Sequence, residues 1–134
     1  MDHVSKEKRS EIMRNVRGKD TVPEKTVRSM IHRMGYRYRL HAKYLPGKPD
    51  MVFPGRKKVI FVHGCFWHLH EGCRKASLPK SNTRFWIPKL RLNRERDHNI
   101  LQELKLLGWK VLVVWQCQIS NTAVLSRRIK RFLG

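Results

Sequence analysis

Acidic residues are scarce in this 134-residue chain, which has ten Asp and Glu against thirty Lys and Arg. The formal net charge is therefore +20, and the positive charges are spread along the sequence instead of being confined to a tail. Such a field attracts polyanions and makes their binding strongly dependent on salt. The composition predicts nucleic acid as the partner and argues against a generic globular protein, since so much like charge repels itself in a compact state.

Long apolar runs and a signal peptide are also missing. No apolar stretch of about 18 residues occurs, and the N-terminus MDHVSKEKRSEIM lacks the apolar core of a secretory leader. We therefore expect a cytoplasmic protein without membrane contact. The length suits a single domain over residues 1–134, and no internal repeat divides it.

Cysteine is rare, and the three cysteines of the chain cannot all pair with one another. A reducing compartment also disfavours disulfides, so metal binding is the better use for these thiols. Cys65, His70 and Cys73 lie close together, and Cys117 follows a second apolar strand candidate. If two central strands bring them together, they form a closed Cys₃His zinc site, which is structural because no position remains for water. The alternative is a set of unrelated buried thiols and a surface histidine.

Apolar periodicity predicts four helices. A short basic helix covers about residues 5–17. The next helix has Thr21 and Glu24 spaced as a capping box and stops at Gly35. Its apolar stripe is formed by Val27, Met30, Ile31 and Met34. After a loop over residues 74–84, a long helix ends at Gly108 and has the stripe Ile100, Leu101, Leu104 and Leu107. The last helix, over residues 121–133, aligns Leu125, Ile129 and Phe132.

Strand candidates fill the intervals between these helices. YRYRL (36–40) alternates, DMVF (50–53) is short, and KKVIFV (57–62) ends in a run that is apolar on both faces, as is typical of a central strand. WKVLVVW (109–115) predicts a second fully buried strand. The order of elements predicts an α/β architecture, in which a mixed sheet is flanked by helices on both faces.

Asp50 opens the short strand in GKPDMVF, in a chain with few acids. An acid at this place can hold Mg²⁺ against a phosphate, although a Pro-Asp dipeptide is also ordinary turn chemistry. This arrangement is similar to that of the restriction-endonuclease-like nucleases, in which an acid and a lysine follow on the next strand. Here that strand ends in Val62, His63 and Gly64, with His68 soon after. Histidine could replace lysine in activating water or protonating the leaving oxygen.

Four segments resemble the very-short-patch repair (Vsr) mismatch endonucleases over nearly the whole chain: LPGKPD, FVHGCFWH, FWIPKLRLNRERD and LGWKVLVVWQC. The resemblance implies a restriction-endonuclease-like fold and one endonuclease domain, with the helix at about 5–17 as a DNA-contacting arm. It implies a Mg²⁺-dependent nuclease with a structural Zn²⁺ that nicks double-stranded DNA beside the thymine of a T:G mispair left by 5-methylcytosine deamination. We expect a monomer, with a mismatch-repair accessory protein as a further partner.

The resemblance also assigns roles to individual residues. Asp50 matches the metal-binding acid and His68 the water-activating base, while His63 and Glu24 match supporting groups around the hydrated metal. Val62 lies where the family lends a backbone carbonyl to the metal. The zinc ligands match Cys65, His70, Cys73 and Cys117. Without the resemblance, Glu24 is fully explained as a helix-capping residue.

DNA-contacting residues follow from the same resemblance. The aromatics that match those inserted beside the mismatch are Phe66, Trp67 and Trp86, and Met13 matches a residue that enters from the minor groove. Lys89 and Asn93 lie on the helix face that reads the mispair, with Asp97 one further turn along. The alternatives are a core position for Trp86 and a solvated charged face for this helix. Two competing functions stay open: a zinc-stabilised DNA-binding module without catalysis, and a restriction or nicking nuclease without mismatch preference.

Overall fold

The computed structural model describes residues 21–65, 68, 70, 73 and 83–134. The predicted basic helix at 5–17 with its Met13, and the aromatics Phe66 and Trp67, lie outside these ranges. Within them the elements are α1 (Val22–Arg33), β1 (Arg39–Leu40), β2 (Met51–Phe53), β3 (Lys58–His63), α2 (Thr83–Leu106), β4 (Lys110–Trp115) and α3 (Thr122–Leu133). None of the described helices combines the length and the apolarity needed to cross a lipid bilayer.

The four described strands form one mixed sheet in the order β1-β2-β3-β4. β1, β2 and β3 pair antiparallel, while β3 and β4 pair parallel, with His63 opposite Trp115 at their ends. A parallel pair requires a crossover, and α2 lies in the connection from β3 to β4. The predicted mixed sheet and the interior position of the third strand are confirmed.

Apolar side chains cover both faces of the sheet, which confirms the predicted layers. One cluster joins α1 and α3 to the sheet and includes Val27, Ile31, Met51, Ile60, Val114, Leu125 and Ile129. The other lies under α2 and includes Leu45, Val52, Val59, Phe61 and Leu104. Successive residues of a strand point to opposite faces, so Val59 and Ile60 belong to different clusters. β3 is therefore packed on both faces, so the backbone at its end can position side chains rigidly.

α1 begins where the sequence predicts it. The Thr21 hydroxyl accepts a hydrogen bond from the Glu24 N–H at 3.4 Å, which satisfies one of the free donors of the first turn. Val27, Met30 and Ile31 are buried against the sheet. Gly35, with a φ of 98°, turns the chain away after the helix ends.

The predicted strands differ from the observed ones at two places. β1 has only two residues, both exposed, instead of the five in YRYRL. It pairs only with Val52 and Met51, and His41, with a φ of 46°, bends the backbone out of the extended form after Leu40. β4 is half-buried instead of fully buried, because it is the outer strand of the described sheet beside β3.

Two apolar positions of the helices were also predicted wrongly. Leu107 lies beyond the end of α2 and is 54% exposed, because Gly108, with a φ of 87°, already turns the chain towards β4. In α3 the fully buried stripe continues to Leu133, whereas Phe132 is half-buried. The spacing from Leu125 to Ile129 to Leu133 is four residues throughout, which keeps one helix face on the sheet.

Candidate active site and cysteine-histidine cluster

Strand pairing brings Asp50 to the end of β3. Asp50 directly precedes β2, which runs antiparallel to β3 with Met51 opposite Ile60. The start of β2 therefore lies beside the end of β3, where the Val62 N–H donates to Asp50 Oδ2 at 2.6 Å. The backbone of the sheet thus fixes the orientation of the Asp50 carboxylate, which a solvent-exposed turn would leave mobile.

The side chain of Glu24 reaches the same place from the first turn of α1. It is only 5% exposed, and Arg28 donates to its Oε2 at 2.9 Å. Arg28 also contacts His41 Nε2 at 2.9 Å. His41 follows β1 and begins the loop that leads to Asp50. The oxygen and nitrogen atoms of Glu24, His41 and Asp50 that could ligate a metal all lie within 4.8 Å of one another. Glu24 therefore also belongs to a group that could hold a metal ion.

The two carboxyl groups of this site do not ionise independently. Burial, and after it the hydrogen bond with Glu24, raise the pKa of Asp50 to about 9, against the opposing hydrogen bond from Val62. Without a cation the pair therefore keeps a proton at neutral pH, and a divalent cation would displace it. Carboxylate oxygens are the ligands that Mg²⁺ prefers, so the residues present fit this ion.

A second group consists of His63, His68 and Asp97, and His63 directly follows Val62 at the end of β3. Their ligating atoms also lie within 4.8 Å of one another. His68 Nδ1 is hydrogen-bonded to Asp97 Oδ2, and an ionised carboxylate can only accept such a bond. The proton of the His68 ring is thereby placed on Nδ1, and Nε2 keeps its lone pair. His68 and Asp97 therefore form a pair suited to general-base chemistry.

His63 supports this pair from inside the protein. It is 7% exposed, and its ring stacks on that of His68 with centroids 3.9 Å apart. Burial first, and then the neighbouring His68, lower the pKa of His63 to about 3, so the ring is neutral. Among the described residues no side chain or backbone group bonds to the buried His63 Nδ1. A buried nitrogen without a partner is costly, and a ligand or water bound in the cleft would satisfy it.

The four predicted zinc ligands are brought together. Possible ligand atoms of Cys65, His70, Cys73 and Cys117 all lie within 4.8 Å of one another, and Cys117 Sγ is 3.4 Å from His70 Nδ1. Ligands that share a tetrahedral zinc ion lie about 3–4 Å apart, so the spacing fits the ion. Burial raises the pKa of the Cys65 thiol to about 12, so the thiolate is unfavourable there without a cation. A bound metal would stabilise the thiolate.

Local structure explains how these ligands meet. The His70 N–H donates to the Cys65 carbonyl and the Cys73 N–H to that of His70, which folds the segment after β3 into turns. The parallel pairing of β3 and β4 puts Cys117 at the same end of the sheet. The ring of His70 stacks on Trp115 with centroids 4.1 Å apart. The resulting Cys/His cluster is a possible metal site.

A cleft of about 760 Å³ connects the two acid–histidine groups. Glu24, His41, Asp50, His63, His68 and Asp97 all line it. Three cationic side chains, Lys43, Lys48 and Arg96, also line the cleft. The cleft thus combines acids that suit a cation with positive groups that suit a phosphate, which is the requirement for binding a phosphodiester.

Comparison with known proteins identifies the family. The profile described as DNA mismatch endonuclease Vsr matches residues 1–75. DNA mismatch endonuclease Vsr of Escherichia coli (strain K12) is 41% identical over 125 residues, which cover 93% of this chain and 80% of that protein. The chain belongs to the Vsr endonuclease family. The resemblance predicted from four sequence segments is confirmed, and this Vsr-family chain is a DNA endonuclease.

Other relatives of the Vsr-family chain carry a different description. Type II nicking enzyme V.XorIIP of Xanthomonas oryzae pv. oryzae is 52% identical over 132 residues, 98% of this chain and 96% of that protein. Type II nicking enzyme V.NmeAIP of Neisseria meningitidis is 43% identical over 132 residues, with 98% and 94% coverage. Proteins described as nicking enzymes are thus similar to almost the full length of this chain.

The predicted DNA-contacting residues of the Vsr-family chain that are described lie on α2. Trp86 is half-buried at the start of this helix and meets Phe85 edge to face at 5.0 Å. It belongs to neither apolar cluster of the described residues, which argues against the core alternative. Asn93 and Asp97 line the cleft one turn apart, and Lys89 precedes them by another turn. Their face of α2 therefore looks towards the candidate active site.

Sequence reasoning about this Vsr-family chain missed His41 and gave Asp97 no catalytic role. His41 lies in an irregular segment, and no pattern in LHAKYLPG distinguishes it from a loop residue. Asp97 was noticed only for its spacing from Asn93. Its hydrogen-bond partner, His68, is far away along the chain. Arg28 was missed for a similar reason, since its position on α1 resembles that of any surface arginine.

Proposed function

We propose that this Vsr-family chain is a Mg²⁺-dependent mismatch endonuclease with a restriction-endonuclease-like fold. It nicks double-stranded DNA beside the thymine of a T:G mispair that arises from deamination of 5-methylcytosine. The observation that carries the proposal is the meeting of the Glu24–Asp50 pair and the His68–Asp97 pair around the end of β3, in one cleft that basic side chains also line. Cytoplasmic location, a monomeric state and a mismatch-repair accessory protein stay predictions.

Two metals complete the proposal. Asp50, the Val62 carbonyl and, through water, Glu24 and His63 would hold Mg²⁺, while Cys65, His70, Cys73 and Cys117 would hold Zn²⁺. Bound Mg²⁺ supplies Lewis-acid polarisation of the phosphate and neutralises charge that develops on it. The Zn²⁺ site is closed, so its contribution is structural. Support for this division comes from the donor atoms: two acids at one site, three thiols and an imidazole at the other.

His68 is the general base in this proposal. Its Nδ1–H is engaged by Asp97, so Nε2 is the atom that accepts a proton from the attacking water. A bond forms between the water oxygen and phosphorus, and one ester oxygen leaves and takes a proton from solvent. Asp97 stabilises the imidazolium formed by this transfer. The neutral His63 ring, stacked on His68, fixes its orientation without adding a competing charge.

Positive groups of the cleft orient the DNA strand. Lys43 and Lys48 belong to the loop before Asp50, and Arg96 belongs to α2 beside Asp97. They line the cleft and would bind phosphates of the DNA strand near the scissile bond. Phosphate contacts position a nucleic acid without reading its sequence, so mismatch recognition needs other residues.

Recognition of the mispair is assigned to aromatic residues and to one face of α2. Trp86, with Phe66 and Trp67, would insert beside the mismatch, and Met13 would enter from the minor groove. Bulky apolar side chains wedge between base steps at a cost of a few kcal/mol, which is lower where pairing is already defective. Lys89 and Asn93 would contact the mispaired bases. The half-buried position of Trp86 on the surface of α2 supports this assignment.

Asp50→Ala tests the catalytic part of the proposal. Removal of the acid should abolish nicking of a T:G duplex in Mg²⁺ while DNA affinity stays near that of the unmodified chain, because phosphate contacts come from Lys and Arg. Nicking and binding are measured on the same labelled duplex. Turnover close to that of the unmodified enzyme would remove Asp50 from the site.

A nicking endonuclease without mismatch preference is the second candidate. Two relatives at 52% and 43% identity are described as type II nicking enzymes, which favours this alternative. The same catalytic groups would serve both functions, so the two functions differ only in how the DNA is recognised. Equal nicking of a T:G duplex and its matched C:G counterpart would favour the second candidate.

A further inference from the structure

The Glu24–Asp50 site has a third side chain that the proposed Mg²⁺ chemistry does not use. We propose that His41 Nε2 is a direct ligand of the divalent cation and makes this site bind Mn²⁺ in preference to Mg²⁺. The proposal rests on the proposed function for the identity of the site, and it assigns a selectivity-determining residue within it.

Geometry places His41 within reach of the cation. Nε2 is 3.9 Å from Glu24 Oε2, and the ligating atoms of His41, Glu24 and Asp50 form one group within 4.8 Å. Donor atoms that share one ion of this size lie about 3–4 Å apart. His41 is only partly exposed and lines the same cleft as the buried His63, whose Nδ1 has no bond to the described residues.

Arg28 holds His41 in the tautomer that a metal requires. A guanidinium can only donate hydrogen bonds, so the contact of 2.9 Å between Arg28 and His41 Nε2 means that Nε2 presents a lone pair. The same Arg28 group donates to Glu24 Oε2. One positively charged group thus occupies two donor atoms that would hold a divalent cation, and Arg28 would release His41 Nε2 when the cation binds.

The backbone of His41 supports a positioned side chain. Its φ of 46° is in the left-handed region, which costs energy for a residue with a side chain. The His41 N–H also donates to the Asp50 carbonyl, which ties the two residues together. His41 therefore cannot move away from Asp50 independently.

A mixed nitrogen and oxygen site has a predictable selectivity. Mg²⁺ demands oxygen ligands and keeps several waters, whereas first-row transition ions accept imidazole. Removal of the imidazole should therefore weaken Mn²⁺ binding much more than Mg²⁺ binding. An all-oxygen site would not show this difference.

His41→Asn is the variant that tests this, because Asn tolerates a positive φ and offers oxygen in place of nitrogen. His41→Gln is a second variant with a longer side chain. His32→Gln, at an exposed position of α1, is the matched control. With zinc-loaded protein, Mn²⁺ and Mg²⁺ dissociation constants are measured by titration, and pulsed electron paramagnetic resonance of bound Mn²⁺ reports nitrogen ligands directly.

The expected result is a ¹⁴N coupling on Mn²⁺ in the unmodified chain and in His32→Gln, and its loss in both His41 variants. The Mn²⁺ dissociation constant should rise about tenfold or more and that of Mg²⁺ less than about threefold. A ¹⁴N coupling that persists in folded His41 variants would assign the nitrogen to His63 or His68 and overturn the proposal. Absence of nicking on every duplex would overturn the proposed function and leave the ligand assignment standing.

Discussion

Asp50→Asn should stabilise the Mg²⁺-free protein while it abolishes nicking. Burial and Glu24 raise the pKa of Asp50 to about 9, whereas the same carboxyl in an unfolded chain titrates near 3.9. The folded chain therefore holds this proton more tightly. The stability linked to it is complete below about pH 4 and is lost as the pH rises towards 9. Asparagine has no charge to bury and therefore avoids this loss.

The size of the effect follows from the same shift. Linkage sets an upper limit of about 1.4 kcal/mol for each pH unit between the unfolded and folded pKa values. Asp50 is partly exposed, and solvent weakens the effect, so we expect about 1–3 kcal/mol at pH 8. The asparagine side chain of this variant keeps an oxygen that can accept from the Val62 N–H.

Urea unfolding of zinc-loaded protein in Mg²⁺-free buffer measures this difference across a pH series. The advantage of Asp50→Asn should vanish below about pH 5 and shrink at pH 8 when Mg²⁺ is added, because Mg²⁺ stabilises only the unmodified site. Glu103→Gln, which neutralises an exposed acid of α2, is the control and should change little. An Asp50→Asn variant that is equally or less stable than the unmodified chain at pH 8 would refute the buried-acid argument.

Three further predictions follow from the site. His68→Ala should slow nicking by ~10² or more. Asp97→Asn should also slow nicking, because the His68 Nδ1–H loses its anionic acceptor. Single-turnover nicking rates measure both effects, and unchanged rates would exclude the pair from catalysis. Cys117→Ser should lower zinc content and the unfolding temperature together, whereas an active, folded protein without zinc would refute a structural zinc site. Alanine at Trp67 and Trp86 should weaken T:G binding by a few kcal/mol while salt-dependent binding to matched DNA changes little. If the folded double variant still prefers T:G over matched DNA, these tryptophans do not insert beside the mismatch.

Local signals made much of the scaffold predictable. The capping pair Thr21 and Glu24, and the stop at Gly35, fix α1 within a few residues, because caps and apolar period act over one or two turns. The apolar run before His63 likewise predicts a strand that is covered on both faces. The length of β1 was overestimated because an alternating pattern does not show how many of its residues pair with the neighbouring strand.

The site was predictable only in part, since its groups come from distant segments. Cys65, His70 and Cys73 could be grouped by their spacing, and Cys117 joined them through the parallel pairing of β3 and β4. His41 had no such signal, because its relation to Glu24 depends on the path of an irregular loop. Tertiary contacts of this kind are absent from local sequence patterns.

Single-turnover nicking of two duplexes that differ at one base shows whether the enzyme acts on T:G mispairs. One carries a T:G mispair and the other the matched C:G pair, each labelled on the strand that contains the pyrimidine, in Mg²⁺ with zinc-loaded enzyme. We expect a nick beside the thymine of the T:G duplex and at least about 10²-fold slower nicking of the matched C:G duplex. Without Mg²⁺, neither duplex should be nicked. Equal rates on the two duplexes, or nicking that is independent of divalent cations, would contradict the proposed function.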